Sequence, residues 1–210
     1  YKSTDAGATW QLMGLPDSHH IARIVIHPTN PDVVYVAALG HLFSRNEERG
    51  VFRTRDGGKT WDKVLYVDDG TGAVDLVINR RTPNTLFAAM YEKHRMPWQL
   101  VLGGPGTGIY RTDDGGTKWQ KLAGGLPTGT LGRIGLDIHQ KNPNILYAVV
   151  ENVNLRPASM GAAMDACQAG NAAAAGRGAG GRGRGGAARI GNEIYRTDDG
   201  GRTWRKVNPD

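Results

Sequence analysis

The sequence contains little cysteine, few aromatic residues and no long hydrophobic run. Its 210 residues include a single cysteine, Cys167, which excludes an internal disulfide framework and any zinc cluster built from several cysteines. No window approaches the roughly 20 consecutive apolar residues that a membrane-spanning helix requires, so no transmembrane segment is expected. Aromatic residues make up 7% of the chain, but 39% of it is hydrophobic. This is enough apolar material for a buried core, which excludes wholesale disorder.

Much of the basic charge lies in one Gly/Ala/Arg-rich stretch, residues 157–190. Four arginines and one aspartate give this stretch a charge of +3, half of the chain's net charge of +6. It contains no aromatic residue on which a base could stack, and it separates two predicted strands instead of forming a terminal tail. We therefore interpret it as a flexible insertion with an incidental thiol, and we expect no nucleic-acid partner.

A short box with the pattern Ser/Thr-x-Asp-x-Gly-x-Thr-Trp occurs four times. The closing tryptophans are 51, 58 and 85 residues apart, and the last interval also becomes 51 when the 34-residue stretch 157–190 is left out. The chain is therefore a repeat protein with a period of about 50 residues. The box positions are Asp5, Gly7, Thr9 and Trp10; Asp56, Gly58, Thr60 and Trp61; Asp114, Gly116 and Trp119, with Lys118 in place of threonine; and Asp199, Gly201, Thr203 and Trp204.

Each repeat has the pattern of four antiparallel strands. Apolar residues alternate along the first strand, a Pro/Asn turn leads to a more continuously apolar second strand, and a third strand leads into the box, at whose tryptophan the fourth begins. No stretch has a sustained helical period. The predicted first strands are 21–27, 73–79 and 133–139, the second strands are 33–39, 85–91 and 145–151, and the third strands are 51–54, 109–112 and 194–197.

Four strands in about 50 residues are typical of a β-propeller blade, which must stack on neighbouring blades to bury both its faces. We predict an all-β segment of about three and a half blades, part of a larger propeller. The predicted units are the last hairpin of a blade (1–14) and three blades (15–66, 67–125, and 126–210 with the insertion). Because the chain starts without an initiating methionine or an apolar signal region, we expect it to be a piece of a longer protein.

The boxes favour a structural role over a metal site. A calcium loop needs several oxygen ligands at alternating positions, whereas each box supplies one aspartate at the shared position and a neutral residue two places later. We predict that the aspartate and the hydroxyl side chains cap a tight hairpin, that the glycine adopts a positive φ, and that the tryptophan packs between adjacent blades. No metal and no cofactor are predicted.

The boxes resemble the Asp-box, or BNR, repeat of sialidases, xyloglucanases, sortilin-type VPS10 domains and the photosystem II stability/assembly factor. Segments 27–36, 46–54, 103–110 and 132–135 are similar to large bacterial proteins that carry a sortilin N-terminal domain and are often labelled glycosyl hydrolases. The similarity covers nearly the whole chain outside 157–190. It implies a β-propeller and an exported protein, periplasmic or extracellular.

Variable loops on a rigid scaffold commonly carry binding residues, and the loops between second and third strands differ most in length. These loops cover roughly 40–50, 92–108 and 152–192, and they share a face with the links between blades, 15–20, 68–72 and 126–132. We call this the loop-rich face. Its candidate ligand-binding residues are His19, His20, Glu47, Glu48, His94, Arg95 and Trp98.

Two motifs on this face are not expected to bind a metal or a phosphate. The adjacent histidines His19 and His20 would point apart on a strand, and the sequence shows no third metal ligand beside them. The glycine-rich run 103–108 lacks the Gly-Lys-Ser/Thr ending of a phosphate loop and precedes a strand instead of a helix.

The sequence favours a non-catalytic binding or scaffold role, in which the loop-rich face recognises a protein or a glycan. One alternative is a glycoside hydrolase, which would need two carboxylates about 5–9.5 Å apart. The sequence singles out no pair. A sialidase-like site would need an arginine cluster for a substrate carboxylate, with Arg23 and Arg133 as candidate members, and a Tyr/Glu nucleophile, and the rest of this constellation is not recognisable in the sequence. A second alternative is an extrinsic scaffold subunit of a membrane protein complex. The carboxylate candidates are Glu47, Glu48, Asp68, Asp69, Glu92 and Glu151.

Overall fold

A computed structural model describes residues 1–156 and 189–209. The predicted insertion, with Cys167, lies almost entirely outside the described residues. The described residues form strands and turns, and none of them belongs to a helix that is long and apolar enough to cross a bilayer.

Within residues 1–156 and 189–209, thirteen strands form three antiparallel sheets, in which neighbouring strands follow the chain order. In the second sheet, β8 pairs with β6 directly and β7 pairs with the end of β6. The first sheet contains β1 (Ile21–Ile26), β2 (Val34–Ala38), β3 (Gly50–Thr54) and β4 (Asp62–Leu65); the second contains β5 (Thr71–Ile78), β6 (Leu86–Met96), β7 (Gln99–Leu102), β8 (Gly108–Thr112) and β9 (Gln120–Lys121); the third contains β10 (Leu131–Ile138), β11 (Leu146–Leu155), β12 (Arg189–Thr197) and β13 (Arg205–Lys206).

The three sheets stand side by side, with the innermost strand β5 packed against both β1 and β10. Leu76 and Leu86 are buried between the first and second sheets, and Phe87 and Ile134 are buried between the second and third. Ile24 on β1 aligns with Leu76 but is exposed, because no described sheet covers that flank. The structure is therefore all-β, a fragment of a larger β-propeller, as the sequence predicts.

The boxes form the predicted capped hairpins. In the second box, the Thr54 hydroxyl accepts the Gly58 N–H (2.9 Å) and donates to Asp56 (2.8 Å). The Asp56 carboxylate in turn accepts the N–H (2.9 Å) and the hydroxyl (2.7 Å) of Thr60. Gly58 has a φ of +98°, a conformation that favours glycine. In the third box Lys118 supplies only its N–H to the aspartate (2.9 Å), because it has no hydroxyl.

The box tryptophans pack on the preceding sheet or hairpin, with one exception. The Trp61 indole donates to the Met13 carbonyl (2.6 Å), and Trp204 is only 5% exposed against the second sheet. Trp10 is 63% exposed, and its indole donates within its own box to Gly7 (3.0 Å). The prediction of an inter-blade position is therefore wrong for Trp10, because no described sheet precedes its box for the ring to pack on.

The capping bonds predict an acid-sensitive box. Bonds from the Thr9 hydroxyl and N–H and from the Ser3 hydroxyl lower the pKa of Asp5 from 3.8 to about 2. A depressed carboxyl pKa stabilises the fold above the unfolded value, and this contribution is lost as the pH falls toward the folded value, between pH 3.8 and about 2. Carboxyl-carbon NMR titration should show Asp5 titrating at about 2, and the Thr9→Val variant should move the pKa of Asp5 back toward 3.8. An Asp5 carboxyl with an ordinary pKa in the unaltered protein would contradict the capping role.

Several boundaries differ from the predictions. The fourth strands begin one residue after their tryptophans. The predicted loop 92–108 is largely a β-hairpin, because β6 continues to Met96 and pairs with β7. In the third sheet β11 and β12 extend likewise, so Arg189 and Ile190, predicted as part of the insertion, lie in β12. In both sheets the second strand continues beyond the stacked part of the blade, so the loop-rich face carries ordered hairpin structure.

Candidate functional site

A buried arginine organises the centre of the loop-rich face. Arg49, immediately before β3, is fully buried, and its guanidinium donates to the backbone carbonyls of five residues. Three of these, Leu39, His41 and Ser44, lie in or beside the loop 40–50, and the other two belong to the second sheet and the link before it, at Lys93 and Gly70. Burial lowers the pKa of Arg49 from its usual high value. One side chain thus holds a loop, a link and the end of β6 in a fixed arrangement.

The two adjacent histidines have different surroundings. The His20 Nδ1 lies 2.9 Å from the Gly40 carbonyl oxygen. The His19 ring stacks on the His41 ring with centroids 3.7 Å apart, and the Asp17 carboxylate lies within 3.6 Å of both Nε2 atoms. The expectation that no further metal-ligating side chain lies near His19 is therefore corrected, because folding brings the link 15–20 and the loop 40–50 together.

Most of the candidate carboxylates already have local partners. Asp69 forms an ion pair with Arg45 (2.6 Å), and Asp68 accepts the N–H of Gly70 (2.8 Å). Glu48 accepts a long bond from the Asn46 amide (3.4 Å), whereas Glu47 is exposed at the surface. These contacts are local, and they engage both aspartates.

The β6–β7 hairpin presents an aromatic side chain to solvent. Trp98 lies in its turn and is 80% exposed, and Phe43 on the loop 40–50 is 75% exposed. Arg95 is exposed, and its N–H donates to the Leu42 carbonyl (2.7 Å), which joins the hairpin to that loop. His94, another candidate binding residue, is 4% exposed, because its place in the β6–β7 pairing turns the side chain into the protein.

A groove of about 400 Å³ runs between this hairpin and the third sheet. Apolar side chains of β7 and β11 form its walls, and polar side chains of a link and of β12 supply hydrogen-bonding groups. Leu100, two residues after Trp98, belongs to its wall and is half exposed. The lining residues are Leu100, Leu102, Thr130, Val153, Asn154, Leu155 and Arg189.

The arrangement does not support a sialidase-like site at Arg23 and Arg133. Arg23 lies 3.9 Å from the Asp75 carboxylate, so its charge already has a counter-ion. Near Arg133, Glu151 accepts the Arg133 backbone N–H (3.0 Å). Burial, with the charge of Glu151 nearby, raises the pKa of Tyr91 to about 12. A phenol with a raised pKa is a weak nucleophile at neutral pH.

Comparison with known protein families assigns the chain to a family. The chain matches the Sortilin-Vps10 family (sortilin, neurotensin receptor 3) over residues 1–124, and the BNR/Asp-box repeat family over 195–206. The chain belongs to the Sortilin-Vps10 family. The resemblance predicted from the boxes is thereby confirmed.

Two curated relatives of this Sortilin-Vps10 chain are named as xyloglucanases. A probable oligoxyloglucan-reducing end-specific xyloglucanase of Neosartorya fischeri is 27% identical over 133 residues, which cover 58% of this chain and 14% of that protein. A xyloglucanase of a Paenibacillus species is 28% identical over 147 residues, covering 62% of this chain and 14% of that protein. The chain thus spans about one seventh of these relatives.

Solved structures share the fold. An ancestral GH74 enzyme superposes with a TM-score of 0.61 at 16% identity, covering all of this chain and 21% of that one. The GH74 enzyme of Niastella koreensis gives 0.61 at 18% identity, covering 97% of this chain and 25% of that one. These similarities show that the Sortilin-Vps10 chain has the propeller architecture of larger proteins.

Three residues that shape the loop-rich face of this Sortilin-Vps10 chain were not identified from the sequence. Arg49 looks like an ordinary surface arginine, because nothing in its neighbourhood signals that five carbonyls will surround it. His41 lies 22 residues from His19, and the two rings meet only because the loop 40–50 packs against the link 15–20 in the folded protein. Phe43 had a signal, since an aromatic residue in a polar loop is a candidate binding group.

Proposed function

We propose that this chain forms part of the glycan-binding face of a glycoside hydrolase that acts on xyloglucan-type β-glucans. The observation that carries the proposal is Trp98, which is 80% exposed in the turn of an ordered hairpin beside the groove. A pyranose ring has an apolar face of C–H groups that packs well on an indole ring. Trp98 presents such a ring to solvent in a hairpin whose second strand lines an apolar groove.

The relatives support this choice of ligand. Two proteins with over a quarter of their aligned residues identical to this chain are named for xyloglucan. Their greater length leaves room for a catalytic pair of carboxylates elsewhere in the full-length protein. In this chain, the apolar wall of the groove, which includes Leu100 two residues after Trp98, would extend the surface that Trp98 begins. Xyloglucan is a cell-wall polymer, so the proposal also implies an exported protein.

The proposal predicts a selective loss of glycan binding on replacing Trp98 with alanine. We expect the affinity of the full-length protein for a xyloglucan oligosaccharide to fall about tenfold, because stacking on one aromatic ring contributes about 1.4 kcal/mol. Since Trp98 is exposed, the midpoint of thermal unfolding should not change. Isothermal titration calorimetry measures the affinity, and the Trp98→Phe variant, which keeps a ring, should retain most of it.

Hydrolysis is tested in the same preparation by the release of new reducing ends from xyloglucan. Removal of the indole should raise KM more than it lowers kcat, because stacking binds the ground state and the transition state alike. A full-length protein that neither binds xyloglucan oligosaccharides at millimolar concentration nor releases reducing ends would contradict the proposal.

A second candidate function is non-catalytic recognition of a glycan or protein by the same face. It is favoured by the carboxylates of Asp68, Asp69 and Glu151, each of which is engaged by a local hydrogen bond or ion pair. Binding of xyloglucan without any release of reducing ends would support it over the hydrolase. The role as a scaffold of a membrane complex stays a prediction, which copurification with an integral-membrane assembly would test.

A further inference from the structure

Asp17, His19 and His41 place three metal-ligating side chains together, outside the proposed glycan-binding surface. Asp17 and His19 belong to the link 15–20, and His41 belongs to the loop 40–50. One carboxylate oxygen and one nitrogen of each histidine all lie within 4.8 Å of one another. The group is at the surface, with His41 the least exposed of the three.

The two separations between the carboxylate and the imidazoles fit a tetrahedral ion. In a tetrahedral zinc site with bond lengths of about 2.0–2.1 Å, neighbouring ligand atoms are about 3.3 Å apart. The Asp17 Oδ1 lies 3.1 Å from His41 Nε2 and 3.6 Å from His19 Nε2, values on either side of that distance. The two imidazoles are stacked, with centroids 3.7 Å apart and planes 20° apart, so the exposed His19 side chain would have to rotate away from His41 for both Nε2 atoms to face one ion.

The second ring nitrogen of His41 is held as a metal-binding histidine requires. His41 Nδ1 lies 2.8 Å from the Ser44 hydroxyl, which orients the ring so that Nε2 faces Asp17, 3.1 Å from its carboxylate and 3.0 Å from its backbone carbonyl oxygen. The His41 N–H donates to the Asn46 side chain (2.9 Å), and the Arg49 guanidinium binds the His41 carbonyl. The loop is therefore ordered around His41 by its own contacts.

The backbone of His19 is held in an unusual conformation. Its φ is +50°, in the left-handed region that costs a non-glycine residue free energy. This conformation places the imidazole over His41 and beside Asp17. Its Nε2 is thereby directed at the same carboxylate as the Nε2 of His41.

We propose that Asp17, His19 and His41 form a binding site for a divalent transition-metal ion of the zinc type. Two imidazoles and one carboxylate suit zinc, whereas calcium and magnesium prefer oxygen ligands throughout. Three protein ligands leave a fourth position for water or for an oxygen of a bound ligand. The ion would join the link before β1 to the loop after β2, and the site does not depend on the glycan-binding proposal.

The test is a zinc titration of the full-length protein after removal of metal with a chelator. Competition with a chromophoric zinc indicator should show one zinc site in the unaltered protein. In both His41→Ala and His19→Gly, the zinc affinity of that site should fall at least about tenfold. Zinc should also raise the midpoint of thermal unfolding of the unaltered protein, whereas millimolar calcium or magnesium should not.

The His19→Gly variant separates ligation from folding. Glycine adopts a φ of +50° without strain, so this variant should be at least as stable as the unaltered protein without metal, yet it should show no zinc-dependent rise in its unfolding midpoint. His139→Ala, which removes an exposed histidine from a turn after β10, should keep the site. Equal zinc affinity and stoichiometry in the unaltered protein and in His19→Gly would overturn the proposal, as would the absence of zinc binding below about 100 μM, roughly −5.5 kcal/mol.

Discussion

Replacing Arg49 with alanine is expected to cost about 3–5 kcal/mol of local stability and to disorder the loop 40–50. The substitution leaves buried carbonyl oxygens without a donor, and each buried unsatisfied polar group costs about 1–3 kcal/mol. The carbonyls that lose their donor belong to the loop and to Lys93 at the end of β6, whereas the Gly70 carbonyl keeps the Lys93 N–H (3.2 Å). Loss of the hydrogen bonds from Arg49 should therefore release the loop 40–50 from the second sheet.

Hydrogen exchange of the full-length protein measures this effect, because it reports the free energy of opening segment by segment. Faster exchange is expected at residues 39–50 and 93–95 of the Arg49→Ala variant, and Arg49→Lys should recover only part of the protection, since an ammonium cannot donate to all five carbonyls at once. Arg45→Ala, which removes an exposed arginine of the same loop, should change exchange little. Equal exchange in the variants of Arg49 and Arg45 would contradict the organising role of the buried guanidinium.

Replacing Gly103 with alanine is expected to open the contact between the second and third sheets. Gly103 follows β7 with a φ of +98°, and a Cβ at this position would overlap the carbonyl oxygen of Leu131 on β10. The variant bears the cost of a positive φ, about 1–2 kcal/mol, and about 1–3 kcal/mol more for moving the backbone of the neighbouring sheet. The midpoint of thermal unfolding should fall, and exchange should quicken at the start of β10.

Gly191 provides a control that separates the two costs. Its φ of +93° matches that of Gly103, but a Cβ there meets no atom within 4 Å. Gly191→Ala should therefore show the conformational cost alone, and Gly135→Ala, where a Cβ also meets no atom within 4 Å, should show little change. If Gly103→Ala were no more destabilising than Gly191→Ala, the close approach of the two sheets at Leu131 would not be a stabilising contact.

The fold was predictable because its signals are local and repeated. Alternating apolar strands such as the one that ends at Ile78, and boxes such as the one centred on Asp56, each occur several times in the chain. Each copy therefore supports the interpretation of the others. The box is fixed by contacts within eight residues, from Thr54 to Trp61, and its hydrogen bonds follow from its own composition. Trp10 shows the limit of this reasoning, because the burial of its ring depends on a neighbouring sheet.

The functional face was predictable in position but only partly in detail. Loop length indicated where it lies, and Trp98 was singled out as a binding residue. The pairing of His94 with Val101 was not visible, because the apolar run at the end of β6 is interrupted by charged residues. The His19–His41 contact depends on the packing of one blade against its link, a tertiary feature that no spacing along the chain encodes.

The most direct test of the proposed function is a crystal structure of the full-length protein with a bound xyloglucan oligosaccharide. We predict a glucosyl or xylosyl ring stacked on the Trp98 indole, with the rest of the chain continuing along the groove that Leu100 lines. An oligosaccharide bound elsewhere, with the Trp98 indole left in solvent or covered by another part of the protein, would contradict it.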